Sequence, residues 1–155
     1  MALLRRILIA LCSFYITCMV ISTLLATKQS QYTIDFTQIA CIRPHSKFNY
    51  LTCSPLIAKV NDDEFIVPAN FDSDLASIPH WFWSFITPEY SALVYPALLH
   101  DYLYLCPGNY SRDYADNVFY SAMLQEGMSK HTASKMYWAV RWFGGRHFNE
   151  GYVCE

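Results

Sequence analysis

The sequence predicts an α+β protein with an N-terminal transmembrane helix, a small antiparallel sheet and then a bundle of about three helices. Three observations predict it. Ile7 to Ala26 is twenty residues without a charge. Phe48 to Val67 falls into short apolar runs separated by turn residues. After Tyr95 the chain carries longer stretches of mixed apolar and polar residues bounded by Ser, Pro and Gly, the punctuation of helices.

As a helix rising about 1.5 Å per residue, the Ile7 to Ala26 segment spans roughly 30 Å, the thickness of the hydrocarbon core. Arg5 and Arg6 precede it and only Lys28 follows closely. The positive-inside rule therefore keeps the N-terminus cytoplasmic and exports the rest. A signal peptide shares this pattern, but cleavage after Ala26 would place Leu24 where a small residue is needed. Neither Cys12 nor Cys18 sits in a lipoprotein signal. The expected organisation is residues 1–27 as membrane anchor, or as an uncleaved signal, and 28–155 as an exported domain.

Gln29 to Arg43 reads as a polar connector with weak strand signal. Phe48 to Cys53, Leu56 to Val60 and Glu64 to Val67 read as strands, with Asn61, Asp62 and Asp63 turning the last two into a hairpin. Ser77 to Phe85 suits a short helix with Pro79 in its first turn. The three main helices are expected from about Tyr95 to Leu105, from a Ser111 N-cap to a Gly127 C-cap, and from roughly Lys130 to Phe143, stopping at Gly144 and Gly145.

Beyond the anchor lie four cysteines, Cys41, Cys53, Cys106 and Cys154. An even number in an oxidising compartment suggests two disulfides, for which three connectivities exist. Cys41 with Cys53 and Cys106 with Cys154 is the expected pairing. No pair has zinc-ribbon spacing. From Lys28 onward nine Lys and Arg face thirteen Asp and Glu, without a basic cluster, which disfavours nucleic acid as a partner.

The chemistry concentrates in ALLHDYLY, Ala97 to Tyr104, where His100 and Asp101 interrupt an apolar and aromatic run. A carboxylate there needs a cation, a metal or several hydrogen-bond donors. As helix neighbours, His100 and Asp101 point about 100° apart, so they do not bond each other directly. On the next helix, Asp116 is expected to face His100 and fix its tautomer, leaving the other ring nitrogen as a base. Arg112, one turn before Asp116, suits a surface ion pair with it, and Asp113 favours the helix N-terminus. Asp72 and Asp74 can complete an oxygen-rich site with Asp101 if their loop folds across the helices. A divalent cation such as calcium is the cofactor such a site would suit. His45, His80, His131 and His147 read as surface residues.

VPANFDSDLASIPHWFW, ALLHDYLY, SRDYADNVFYSAML and MYWAVRWFGGR, taken in this order, resemble a family of short phage, prophage and bacterial proteins grouped as a domain of unknown function. The resemblance covers about Glu64 to Arg146. Asp74, His100, Asp101, Tyr104, Arg112 and Asp116 stand at its polar positions, Arg146 closes it after the glycine pair, and His80 stands where that family usually has arginine. It implies a phage or prophage origin, and it adds Tyr104, Arg112 and Arg146 as substrate-binding candidates. A more distant resemblance is to secreted phospholipases of the A-two type, whose helix-borne His-Asp pair is oriented by an aspartate on an antiparallel helix. That resemblance implies His100 as base, Asp116 as its orienting partner and Asp101 as a calcium ligand. The glycine-rich calcium loop and the cysteine after the pair are missing from this chain.

The expected function is hydrolysis of an envelope component, phospholipid or peptidoglycan, outside the bacterial inner membrane. His100, Asp101, Asp116 and Asp74 would be its catalytic groups, and Asp101 and Asp74 its metal ligands. The alternative is a non-enzymatic protein that binds an envelope protein, to exclude a second phage or assist lysis. In that case Trp81, Phe82 and Trp83 would be a contact surface.

Overall fold

A computed structural model describes residues 30–46, 49–75, 90–149 and 154. Among these, the chain forms two three-stranded antiparallel sheets followed by three α-helices, the α+β class expected from the sequence. The expected membrane span and the Ser77 to Phe85 helix lie outside the described residues. So do His80 and the Trp81–Phe82–Trp83 run. Among the described residues no helix is long and apolar enough to cross a membrane.

The first sheet has the order β1 (Ile34–Gln38), β4 (Leu56–Val60), β5 (Asp63–Val67). Its hairpin pairs Val60 with Asp63, leaving a two-residue turn. Asn61 takes φ 53° there, the positive value that such turns demand and Asn tolerates. In β4, Leu56, Ala58 and Val60 are buried in alternation, the period-two signature of a sheet with one face on the core. The second sheet has the order β2 (Ile42–Pro44), β3 (Tyr50–Thr52), β6 (Asp72–Ser73).

Strands β1 and β2 replace the polar connector expected from Gln29 to Arg43. Only Ile34 of β1 is buried, so alternation is faint. Pairing from elsewhere in the chain compensates. Gln125 Oε1 accepts from the Ile34 amide at 2.9 Å, and Ser121 Oγ accepts from Gln31 N at 3.2 Å. The entering chain is thus stitched along a helix some ninety residues away.

Helix α1 (Val94–Leu105) carries Pro96 in its first turn, where the missing N–H has no intrahelical partner to lose. Pro107 follows its C-cap, Cys106. Helix α2 (Arg112–Gln125) begins at Ser111, whose Oγ accepts from Tyr114 N at 3.1 Å. It ends before Gly127, at φ 93°, with Met128 N donating to Met123 O at 2.9 Å. Helix α3 (Lys130–Phe143) starts at the Ser129 cap and runs into a 3-10 turn, Gly144–Arg146. Helix α2 packs against both others and is buried continuously from Ala115 to Met123. Because α2 is enclosed, its polar residues Asp116, Asn117 and Ser121 are enclosed with it.

Two disulfides close the structure, Cys41 to Cys53 and Cys106 to Cys154, the expected pairing. The second pins the C-terminal tail to the end of α1. On the way there, Asn149 N donates to Tyr104 O at 3.0 Å and Phe148 packs edge-on against the Tyr104 ring.

A buried histidine-aspartate array beneath an acidic cleft

The α1 and α2 phases bring His100 and Asp116 together across the helix pair. His100 Nε2 lies 2.9 Å from Asp116 Oδ1, with the side chains 1% and 0% exposed. Tyr104, one turn beyond His100 on the same face, donates its hydroxyl to Asp116 Oδ1 at 2.6 Å. The other carboxylate oxygen accepts from Arg141 Nη1 of α3 at 2.8 Å. Asp116 is therefore the hub, satisfied by three donors from two neighbouring helices, as a buried carboxylate must be.

These partners decide the protonation states. Burial alone would raise the Asp116 pKa, but the bonds from His100, Tyr104 and Arg141 hold it below the ordinary carboxylate value. Burial would lower that of His100, yet the adjacent Asp101 and Asp116 carboxylates raise it above the ordinary imidazole value. The Tyr104 hydroxyl is pushed upward by burial and by Asp116, which keeps it a neutral donor.

Arg112 is half-buried and does more than the expected surface pairing. It stands 3.8 Å from Asp116, while its Nε donates to Tyr104 Oη at 3.1 Å and its Nη2 to the carbonyls of Val140 and Arg141. A guanidinium thus closes the last turn of α3, where carbonyls lack helical partners. The glycine pair belongs to the same construction. A Cβ on Gly144 would come 3.0 Å from Tyr104 Oη, and one on Gly145 2.9 Å from Arg112 Nη1.

His100 Nδ1 is buried and has no hydrogen-bond partner. It lies 3.8 Å from Asp101 Oδ1, too far for a direct bond. Asp101, 12% exposed, opens onto a cleft of about 260 Å³ lined also by Asn49, Ser73, Asp74, Tyr104 and His147. The 72–75 segment reaches α1 through Ser73, whose Oγ donates to Asp101 Oδ2 and accepts from Leu75 N at 2.9 Å. Thr52, fully buried, sets this segment's path: its Oγ1 donates to Pro68 O at 2.7 Å and accepts from Phe71 N at 2.9 Å. Leu75, buried at φ 55°, holds a left-handed backbone that branched and bulky residues seldom adopt.

Of the expected site residues, Asp74, Asp101 and Tyr104 line the cleft. His100 and Asp116 lie sealed below it, and Arg112 clamps the helices. Arg146 is exposed and does not line the cleft. Among the described residues, no group of three or more His, Cys, Asp or Glu side chains is arranged to hold a metal ion. Three participants were not legible in sequence. Arg141 reads as one more surface cation on α3, and Ser73 as a turn residue. His147, exposed as expected, nonetheless lines the cleft because the tail folds back over α1.

No curated protein and no solved structure matches the chain. A family described as Protein of unknown function (DUF1353) matches residues 52–140, which run from the last residue of β3 through most of α3 and include His100, Tyr104, Arg112 and Asp116, with Arg141 just beyond. With more than half of its length matched, the chain belongs to this DUF1353 family.

Proposed function

We propose that the protein is a hydrolase in which His100 activates water, encoded by a phage or prophage and anchored to act on an envelope ester or amide outside the inner membrane. One observation carries this reading: a buried imidazole fixed through Nε2 by Asp116 keeps Nδ1 without a partner beside the cleft carboxylate Asp101. An orienting carboxylate on one ring nitrogen and a vacant lone pair on the other is what a general base requires. With Nε2–H donating to Asp116, Nδ1 takes a proton from water as the water attacks. Tyr104 and Arg141 hold Asp116, and Asp101 and Asp74 orient the substrate. The likeness to the A-two phospholipase helix pair supports the same assignment as an analogy of arrangement. Phospholipid and peptidoglycan are the two accessible substrates.

The test compares the full chain, in membranes or detergent, with His100→Asn for hydrolysis of both substrates, with and without calcium. Loss of about 10²- to 10⁴-fold is expected. Equal background activity in both proteins under every condition overturns the reading.

The near-complete enclosure of His100 and Asp116 favours a second reading, in which the array is a structural core and the cleft binds an envelope component without turnover. Host toxicity that survives His100→Ala selects it.

A further inference from the structure

We propose that Ser73 is the nucleophile of the cleft, with Asp101 as the base that takes its proton. The inference deepens the hydrolase reading and rests on it for the water step. Among the described residues lining the cleft, two carry a hydroxyl, Ser73 and Tyr104. Tyr104 is committed elsewhere: its proton goes to Asp116 Oδ1 at 2.6 Å, and its ring packs against those of His100 and Phe148. Ser73, nearly buried in the cleft wall, instead directs its proton to Asp101 Oδ2 at 2.5 Å. A hydroxyl is a weak nucleophile until a positioned base accepts its proton, and a carboxylate within hydrogen-bond reach at a cavity wall supplies one.

Three neighbouring features fit that role. Pairing with Tyr50 across β3 and β6 fixes the Ser73 backbone. The Leu75 amide donates to Oγ at 2.9 Å, which places an N–H where negative charge grows as the proton leaves. On the far side of Asp101, Oδ1 stands 3.8 Å from Nδ1 of His100, whose Nε2 is held by Asp116. Closing that gap by about 1 Å makes a hydrogen bond, along which a proton passes between imidazole and carboxylate. A hydroxyl that merely tied the 72–75 segment to α1 would make the same two bonds. Reactivity separates the two roles.

The chemistry balances with water as its co-reactant. Ser73 Oγ bonds to the carbonyl carbon of the ester or amide while its proton moves to Asp101. The carbon's bond to the leaving oxygen or nitrogen then breaks, and that atom departs with the proton from Asp101. The acyl group stays on Ser73 as an ester. Water attacks the acyl carbon, its proton passing to His100 Nδ1 as in the reading above. The bond from that carbon to Oγ breaks, Oγ takes a proton from Asp101, and His100 gives its own to Asp101, so every group returns to its starting state.

The test treats the full chain, in neutral detergent micelles, with an alkyl fluorophosphonate, from which an activated serine displaces fluoride. Intact mass counts the adducts, and peptide mass spectrometry places them. One adduct per chain on Ser73 is expected, forming about 10²-fold faster than in Asp101→Asn. A serine with a structural role alone does not react, and mapping the site on the unaltered chain does not depend on a variant folding. Hydrolysis of phospholipid and peptidoglycan is followed in the same preparation. Hydrolysis without an adduct on Ser73, hydrolysis retained by Ser73→Ala, or an adduct that forms equally fast in Asp101→Asn each overturns the inference and leaves the hydrolase reading standing. An adduct on Ser73 in a preparation that hydrolyses neither substrate sustains the inference and defeats the envelope-hydrolase reading. Neither adduct nor hydrolysis overturns both.

Discussion

At the scale of single residues, Asp116 is where sequence and energetics meet. It was legible as a helix carboxylate able to face His100, because a short loop between two antiparallel helices lets residues near their joined ends meet. Its third donor was not legible, since the reach of Arg141 depends on how α3 packs against α2. Asp116→Asn leaves Arg141 and His100 short of a charge partner in an enclosed site, so it is expected to cost about 3–5 kcal/mol in urea unfolding. The pH dependence has two limbs. Because the Asp116 pKa is lowered by folding, its contribution is present above the ordinary carboxylate value and is lost as pH falls through the lowered one. Because that of His100 is raised, its contribution is present below the ordinary imidazole value and is lost as pH rises through the raised one. Hydrolysis should run opposite to the second limb, since only neutral His100 accepts a proton. Activity is expected to rise with pH through the raised imidazole value while stability declines, and paired pH–rate and pH–unfolding profiles check this.

At the scale of elements, the helices were readable because their ends are chemically marked. Ser111 and Gly127 bracket α2, and Ser111→Ala should remove about 1 kcal/mol of stability by orphaning the Tyr114 amide. Strands β1, β2 and β6 were hidden for a physical reason. They are outer strands of their sheets, β2 and β6 are very short, and much of what holds β1 comes from Ser121 and Gln125 on a distant helix. The glycine pair after α3 was visible only as a stop signal, whereas Gly144 is also a spacer for Tyr104. Gly144→Ala is expected to destabilise by about 1–3 kcal/mol, because Tyr104 is bonded to both Asp116 and Arg112 and cannot step aside cheaply. Gly145→Ala meets only the tip of Arg112 and should cost less. Thermal unfolding of the two variants side by side measures the difference.

At the scale of the whole molecule, the two covalent links act on different lengths of chain. Cys41 and Cys53 are 12 residues apart, and Cys106 and Cys154 are 48 apart. By loop-closure entropy the shorter is worth about 3 kcal/mol and the longer about 4 kcal/mol. Replacing Cys106 and Cys154 by Ser should therefore lower the unfolding free energy more than replacing the other pair, as denaturant titration would show. The even cysteine count made two disulfides readable, while the pairing was one of three that the sequence left open. The cleft was not, because its wall is assembled from β6, the end of α1 and the returning tail.

The fold-back of that tail has a further consequence. His147 reaches the cleft, and Phe148 and Asn149 reach Tyr104, on a strip of chain fastened at its far end by a bond that thiol reductants open. Wherever cysteines are kept reduced, one side of the cavity loses its covalent hem. The same chain would thus carry a looser cleft wall under reducing conditions than under oxidising ones.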